Sequence, residues 1–526
     1  MLKQAFLLTA LASLFVCTAI APERTQSVTL LSIIASRNAA LKALGVRGAR
    51  YVEVTGSING GWLQGSFERW SDADNERLDE RVGPHFQSWV RRGASEYAQD
   101  QNGNVCELRG SIEQRRRVQR FILDGGFTEQ PQFDRFVGRT DLPDGRSAYA
   151  IQVARPGELA ETVDLDSKTF MIDRISYEDE DGAFTFDYYD YKVFSGALVA
   201  QTEIDSNGDH NYDLNLAADK VRAGKPFASS VFDIPANTQI QATQPVTVPL
   251  LERGGHYYVR VRIRAHDYTL LLDTGAQTTV FDPAVAQQLQ LEPQGHLDVF
   301  GAGRIRGPGL AKFDGNIQIG AATLPQHVVA VFDDPAGSGS YRADGVLGYP
   351  FFASAEVTLD AARRSMTFAK PGALRTTGTS IPVDVERQSI ELPGKVNGID
   401  ARFLLDTGNN SELLLFSPFV KAHPDLVTVG RREFVNTSGV GGWMPAFATV
   451  IDELDVGPYR FFNRNTDIMF ANTGAFSGRL DSGNIGMGVL RNLVVTFDVA
   501  NARIYATQSS AYDDGRYRPR TETIPN

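Results

Sequence analysis

Leu271-Leu272-Asp273-Thr274-Gly275-Ala276 decides the fold: an apolar strand runs into a carboxylate and breaks at glycine. One Asp-Thr-Gly triplet arises by chance in long chains. Here Phe403-Leu404-Leu405-Asp406-Thr407-Gly408-Asn409 says nearly the same thing one domain-length later. Two apolar strands that end alike, each opening a similar run, make a repeat.

The parallel continues outward from both triplets. Phe281-Asp282-Pro283 and Phe416-Ser417-Pro418 each read as a helix start, with Asp or Ser as N-cap and Pro in the first turn. Glycine-rich segments follow: Gly301-Ala302-Gly303 with Gly307-Pro308-Gly309, and Ser438-Gly439-Val440-Gly441-Gly442. After alternating strands, Asp344-Gly345-Val346-Leu347-Gly348 in the first copy matches Asn484-Ile485-Gly486 in the second. Each copy then closes on a strand ending in aspartate, Val357-Thr358-Leu359-Asp360 and Val495-Thr496-Phe497-Asp498.

These residues resemble the aspartic proteases, over about half of the chain. Asp-Thr-Gly-Ala and Asp-Gly-Val-Leu-Gly of the first copy look most like retropepsins, which pair two copies of one short lobe. Two copies in one chain imply the pepsin arrangement, each lobe giving one aspartate to a shared cleft. The expected fold is therefore mostly β: two retropepsin-like acid-protease β-barrel lobes in tandem, at 248–374 and 375–508, with a polar tail at 509–526.

The resemblance assigns catalysis to Asp273 and Asp406 and places Thr274, Gly275, Ala276, Thr407, Gly408 and Asn409 on the supporting loops. Peptide hydrolysis by this route uses no covalent nucleophile, no metal and no cofactor. Two carboxylates held about 3 Å apart cannot both ionise cheaply, so they share a proton. The ionised member takes a proton from a water between them, and the protonated member donates to the developing oxyanion. Gly275 and Gly408 let the chain turn beneath each carboxylate with no side chain intervening. By resemblance, the Thr274 and Thr407 hydroxyls bond across to the opposite loop and hold the lobes in register. Where pepsins carry Ser or Thr after the glycine, this chain has Ala276 and Asn409. Fewer hydroxyls predict a mildly acidic optimum, between about pH 4 and 6.5, instead of the strongly acidic one of a pepsin. The first flap-like segment has no tyrosine, whereas Trp443 lies in the second.

The chain starts with Met1-Leu2-Lys3 and a mostly apolar run from Ala5 to Ile20, too short for a comfortable membrane span and suited to a secretory signal over 1–21. Pro22 is a poor neighbour for cleavage after Ala21, which leaves open cleavage after Ala19 or retention of the segment as an anchor. Periplasmic or extracellular placement follows. Cys17 falls in that signal, so Cys106 is alone, cannot form an internal disulfide, and reads as a small buried side chain.

Residues 22–234 read as a separate β domain. A helix over 28–44 presents Val28, Leu30, Leu31, Ile34 and Leu41, and a second over 111–123 is capped by Ser111. Around them runs a long antiparallel meander: Arg50 to Ile58, a hairpin at Asn59-Gly60-Gly61, Trp62 to Trp70, Arg77 to Val82, Phe86 to Val90, and, beyond Asp144-Gly145, five more strands ending with Leu198 to Ile204. The expectation is a curved antiparallel sheet, a half-barrel with one or two helices. In this order of elements, and in Arg146-Ser147-Ala148-Tyr149-Ala150-Ile151-Gln152-Val153 followed by Asp164-Leu165-Asp166-Ser167, the region resembles bacterial lipoprotein-carrier (LolA/LolB-like) domains. That resemblance implies an apolar or lipid ligand held against the sheet; a plain spacer or folding partner is the other reading. Asp205-Ser206-Asn207-Gly208-Asp209-His210-Asn211 lacks the closing glutamate of a calcium loop, position 216 being Leu, and reads as a tight hairpin. Residues 235–247, nearly free of charge, read as a linker.

Composition agrees with a soluble, several-domain chain: 526 residues, 42% hydrophobic and 22% charged. A net charge of −11 excludes nucleic acid as a natural partner, and seven histidines without paired spacing give zinc chemistry no support. The sequence therefore reads as an exported, monomeric aspartic endopeptidase acting on polypeptides. The alternative is an inactive envelope protein that grips peptide between its lobes and lipid on its first domain.

Overall fold

A computed structural model describes residues 28–516 apart from 49, 180–181, 297, 302, 307–308, 333–342, 387, 427–432, 471–474 and 479. The signal read over 1–21, the end of the tail, and Ala302, Gly307 and Pro308 lie outside the described residues. Among the described residues, no helix is long and apolar enough to cross a membrane.

The first domain is one antiparallel sheet of 13 strands built from two meanders. The chain steps outward from Val52–Gly60 to Val105–Glu107, crosses through the helix Gly110–Leu123, and re-enters at the far edge with Arg135–Asp141. It then works back until Leu214–Ala223 pairs with the first strand. The hairpin after Val52–Gly60 turns at Gly61 and Trp62, both with positive φ, one step later than expected.

Among the described residues, two long helices pack on this sheet, and the single turn Gly126–Glu129 buries Phe127 in the same core. Leu30–Ala43 is opened by a capping box in which Thr29 and Ser32 bond each other's backbone. Its buried residues are Ile33, Ile34 and Arg37; of the face expected from spacing, Ile34 is buried and Leu30 packs against the core. Leu31 is 69% exposed and Val28 is exposed as well, while the buried Arg37 guanidinium donates to the Phe170 carbonyl at 2.7 Å. Gly110–Leu123 starts one residue early, with Arg109 at the cap position and no side-chain cap; Ser111 is buried within the first turn. Ile33, Val118 and Ile122 form one core with Ile151, Val153, Val163 and Leu165.

Val54, Ile58, Phe67 and Leu216 make a second apolar patch on the same face, against which Val199 of the small hairpin Lys192–Phe194/Ala197–Val199 packs. The strand read over Leu198–Ile204 is thus two, its second half being Thr202–Ser206 in the large sheet. Arg69, Glu80, Glu203 and Asp205 stand beside this patch, with Arg69 paired to Glu203 at 2.9 Å. Burial and the Glu203 and Glu80 charges hold the Asp205 carboxyl well above its usual range. The turn after Asp205 is wider than a tight hairpin: residues 207–213, including the 3-10 turn His210–Tyr212, join the two strands.

The two copies of the repeat fold alike. In the first, strands run in the order Leu251–Arg253, His256–Ile263, His266–Leu272, Gly345–Leu347, Val280–Phe281, Ala322–Val331, Leu310–Ile319. In the second the order is Asp384–Glu386, Ser389–Val396, Ile399–Leu405, Gly483–Ile485, Leu413–Leu415, Tyr459–Met469, Gly442–Val456, with Glu433–Gly439 at the edge. In each copy the second strand also pairs with a later hairpin strand, curling the sheet back on itself. Both expected helices form: Asp282 caps Pro283–Gln288 through Ala284 N, whereas in Ser417–Ala422 the serine lies inside the helix and makes no cap. A six-stranded sheet joins the lobes, and at its centre Glu356–Asp360 pairs with Leu493–Asp498, the two aspartate-ended strands of the repeat. Phe351, Phe352, Phe368 and Phe497 pack edge to face beneath it. Such rings bury about 150–250 Å² each, so this cluster is a major cohesive element between the lobes.

Residues 235–247 are laid onto the first lobe. Ile240 is 0% exposed, its N–H donates to the Ser354 carbonyl at 2.9 Å, and Gln241 bridges to Thr323. A segment without charges looks like a tether in sequence, but its amides can equally serve a sheet edge. The first domain uses the same edge. The fully buried Asn102 side chain accepts from His327 N and Val328 N and donates to Val328 O, acting as one more backbone unit beside Ala322–Val331. Cys106 packs against the core of the repeat, and burial pushes its thiol up to about 11. At the other end, Asp513 and Asp514 carbonyls accept from Arg464 and Phe462, so the start of the tail is docked on the second lobe.

Candidate active site

Each aspartate of interest follows a strand whose inward residues are fully buried: Leu270 and Leu272 before Asp273, Phe403 and Leu405 before Asp406. Parallel pairing of these strands with Gly345–Leu347 and Gly483–Ile485 fixes where each strand ends. The following loops meet across the lobe boundary. Thr274 N donates to Thr407 Oγ1 and Thr407 N to Thr274 Oγ1, each at 3.0 Å. The Thr274 hydroxyl donates to Leu405 O at 2.6 Å and the Thr407 hydroxyl to Leu272 O at 2.9 Å. Both threonines are completely buried.

This lock brings Asp273 and Asp406 into hydrogen-bond contact. Each carboxylate is cradled by its own loop. Gly275 N and Ala276 N donate to Asp273 Oδ1 at 2.8 and 3.2 Å; Gly408 N and Asn409 N donate to Asp406 Oδ1 at 2.8 and 3.1 Å. A Cβ on Gly408 would lie 2.3 Å from Asp273 Cγ, and one on Gly275 2.9 Å from Asp406 Cγ. The glycines are therefore demanded by the opposite carboxylate, not by positive φ. Burial, the facing Asp406 charge and the hydrogen bond between the two hold Asp273 well above the usual carboxylate range.

Two neighbours have no counterpart in the expectation from sequence. Asn484 Nδ2 donates to Asp406 Oδ2 at 2.6 Å. His256, at the start of its strand, hydrogen-bonds the Gly408 backbone and faces Asp406; burial lowers its pKa, and its Nδ1 has no partner. Asn484 could have been suspected, since it stands where the otherwise apolar first copy has Val346; no local pattern points to His256. Asn409 contributes its backbone N–H to the carboxylate, but its side-chain amide turns away to Asn484 Oδ1. Ala276 likewise serves through its N–H.

Hairpins from both lobes meet tip to tip: Gly303 N donates to Val440 O at 2.9 Å. Val299 and Val440, one from each hairpin, pack with Val346 and a buried cluster around Val280, giving an apolar wall near the Asp273 strand. Trp443 is 74% exposed and outside this wall. Among the described residues, no group of three His, Cys, Asp or Glu side chains is arranged to hold a metal ion.

Residues 259–351 match the family described as aspartyl protease, which places a domain of that kind over the first copy of the repeat. No curated protein matches the chain. Among solved structures, a domain from Vibrio parahaemolyticus, titled as an outer membrane lipoprotein-sorting protein, is 13% identical with a TM-score of 0.26, covering 39% of this chain and 95% of that one.

Proposed function

We propose that the protein is an exported aspartic endopeptidase in which Asp273 and Asp406 activate one water between the two lobes. The observation that carries this reading is the pair of carboxylates in hydrogen-bond contact, each held by two backbone N–H groups of its own loop. Such a pair shares one proton, which supplies a base for water and an acid for the carbonyl oxygen in one site. The touching hairpins would part to admit an extended polypeptide and close over it, excluding bulk water. Both aspartates come from one chain, so the reading needs no second copy. Export rests on the apolar run from Ala5 to Ile20 after Lys3.

The test is hydrolysis of unfolded casein by the purified chain, with and without pepstatin, beside Asp273→Asn and Asp406→Asn. Each substitution should lower the rate by several orders of magnitude while the melting transition stays near wild type, since the pair acts as a unit. Retention of peptide binding without cleavage by the wild-type chain would favour a binding module instead.

A further inference from the structure

The two halves of the dyad are not equivalent. Asp273 receives two donors from its own lobe, Gly275 N and Ala276 N. Asp406 receives three: Gly408 N, Asn409 N and Asn484 Nδ2. The position equivalent to Asn484 in the first lobe is Val346, which pairs with Leu271 as Asn484 pairs with Leu404. A valine offers no donor.

The direction in which Asn484 points is fixed by a chain of bonds that starts at a backbone amide. Ser411 N is unambiguously a donor, and it bonds Asn409 Oδ1 at 2.8 Å, as does Ser411 Oγ at 2.7 Å. Asn409 must therefore turn its NH2 the other way, and it does so toward Asn484 Oδ1 at 3.0 Å. Asn484 in turn has only its own NH2 left for Asp406. An amide in this orientation stabilises a carboxylate and cannot accept from a carboxylic acid.

We infer that Asn484 is a positioning residue that decides where the dyad keeps its proton: charge on Asp406, proton on Asp273. The inference rests on the protease reading above and assigns roles within it. The water oxygen bonds to the peptide carbonyl carbon while one water proton passes to Asp406, and the Asp273 proton passes to the carbonyl oxygen. When the C–N bond breaks, Asp406 gives its proton to the leaving nitrogen and a hydroxyl of the tetrahedral intermediate returns one to Asp273. The pair is restored as it began. The titratable group that faces the pair from the strand His256–Ile263 is His256. Burial keeps the imidazole below its ordinary pKa, although the Gly408 backbone and Asp406 pull it upward.

Asn484→Val copies the first lobe and removes the donor. A hydrogen bond to a charged acceptor is worth about tenfold in the ionisation equilibrium, so the acid limb of the kcat/KM profile should move up by about one pH unit. Asn409→Ala, which keeps the backbone N–H to Asp406 and adds no hydroxyl but frees Asn484 to rotate, should move the limb the same way by less; it also serves if the valine variant folds poorly. His256→Gln controls for the imidazole and should leave the shift produced by Asn484→Val in place. A residue that merely shapes the fold would lower rates at every pH without moving the limb. An acid limb that stays where it was in both Asn variants overturns the inference. Carboxyl NMR of aspartate-labelled protein reads the same first ionisation of the pair without turnover. Failure of the protease reading, with no cleavage but a titration that still moves, is thus told apart from failure of this one, where cleavage proceeds and nothing moves.

Discussion

Replacing Thr407 with valine tests the lock between the lobes. The change keeps shape and β-branching and deletes one hydroxyl that makes two bonds: it accepts from Thr274 N at 3.0 Å and donates to Leu272 O at 2.9 Å. Thr407 and Thr274 are both completely buried, so water has no ready route to the orphaned N–H and C=O. Each such group costs about 1–3 kcal/mol, giving about 2–6 kcal/mol in all, a large part of the 5–15 kcal/mol typical of a whole domain. Thr274→Val should cost about as much, because its two bonds mirror these. The assay is denaturant unfolding followed by circular dichroism, comparing midpoints at constant slope, with Thr407→Ser as the control that keeps the hydroxyl. Activity should fall as well, since the same bonds set the separation of Asp273 and Asp406. A valine variant less than about 1 kcal/mol below wild type, or a serine variant as unstable as the valine, would refute the reasoning.

The glycines under the carboxylates should behave unequally. Gly408→Ala puts a methyl 2.3 Å from Asp273 Cγ and Gly275→Ala puts one 2.9 Å from Asp406 Cγ, so the first should lose more activity; equal losses would mean the loops yield freely. In the first domain, Glu161 is buried, neither carboxyl oxygen has a hydrogen-bond partner, and burial raises its pKa from 4.5 to about 8 despite Arg115. The folded state holds a proton that the unfolded chain releases, so the contribution to stability is complete below pH 4.5 and is lost as pH rises through about 8. Melting scans over that window should show stability falling by at most about 1.4 kcal/mol per pH unit from this group, and Glu161→Gln should flatten the slope. An unchanged slope would place the titration elsewhere.

The repeat around Asp273 and Asp406 was legible in the sequence because strand alternation, a carboxylate at a strand end and a glycine after it are all local. The same holds for the meander of the first domain and for the cap at Asp282. Ser111 and Ser417 failed as caps for a local reason too, since a one-residue change in where a helix starts moves the hydroxyl from cap to first turn. Burial of Arg37 in the first helix goes with an acceptor at the Phe170 carbonyl, far along the chain, which spacing within the helix cannot report.

What tertiary structure alone decided concerns partners brought together by register. Nothing near Asn102 in the sequence says that its amide will stand in for a strand at Val328. The turn in which Ser411 orients the Asn409 amide is local, but nothing near Asn409 says that the amide so turned will meet Asn484. Side-chain period and turn chemistry are set by neighbours within a few bonds, so they are written in the chain. The donor count at each aspartate is set by which residue of a distant strand lands opposite it, and pairing fixes that only once both lobes have closed.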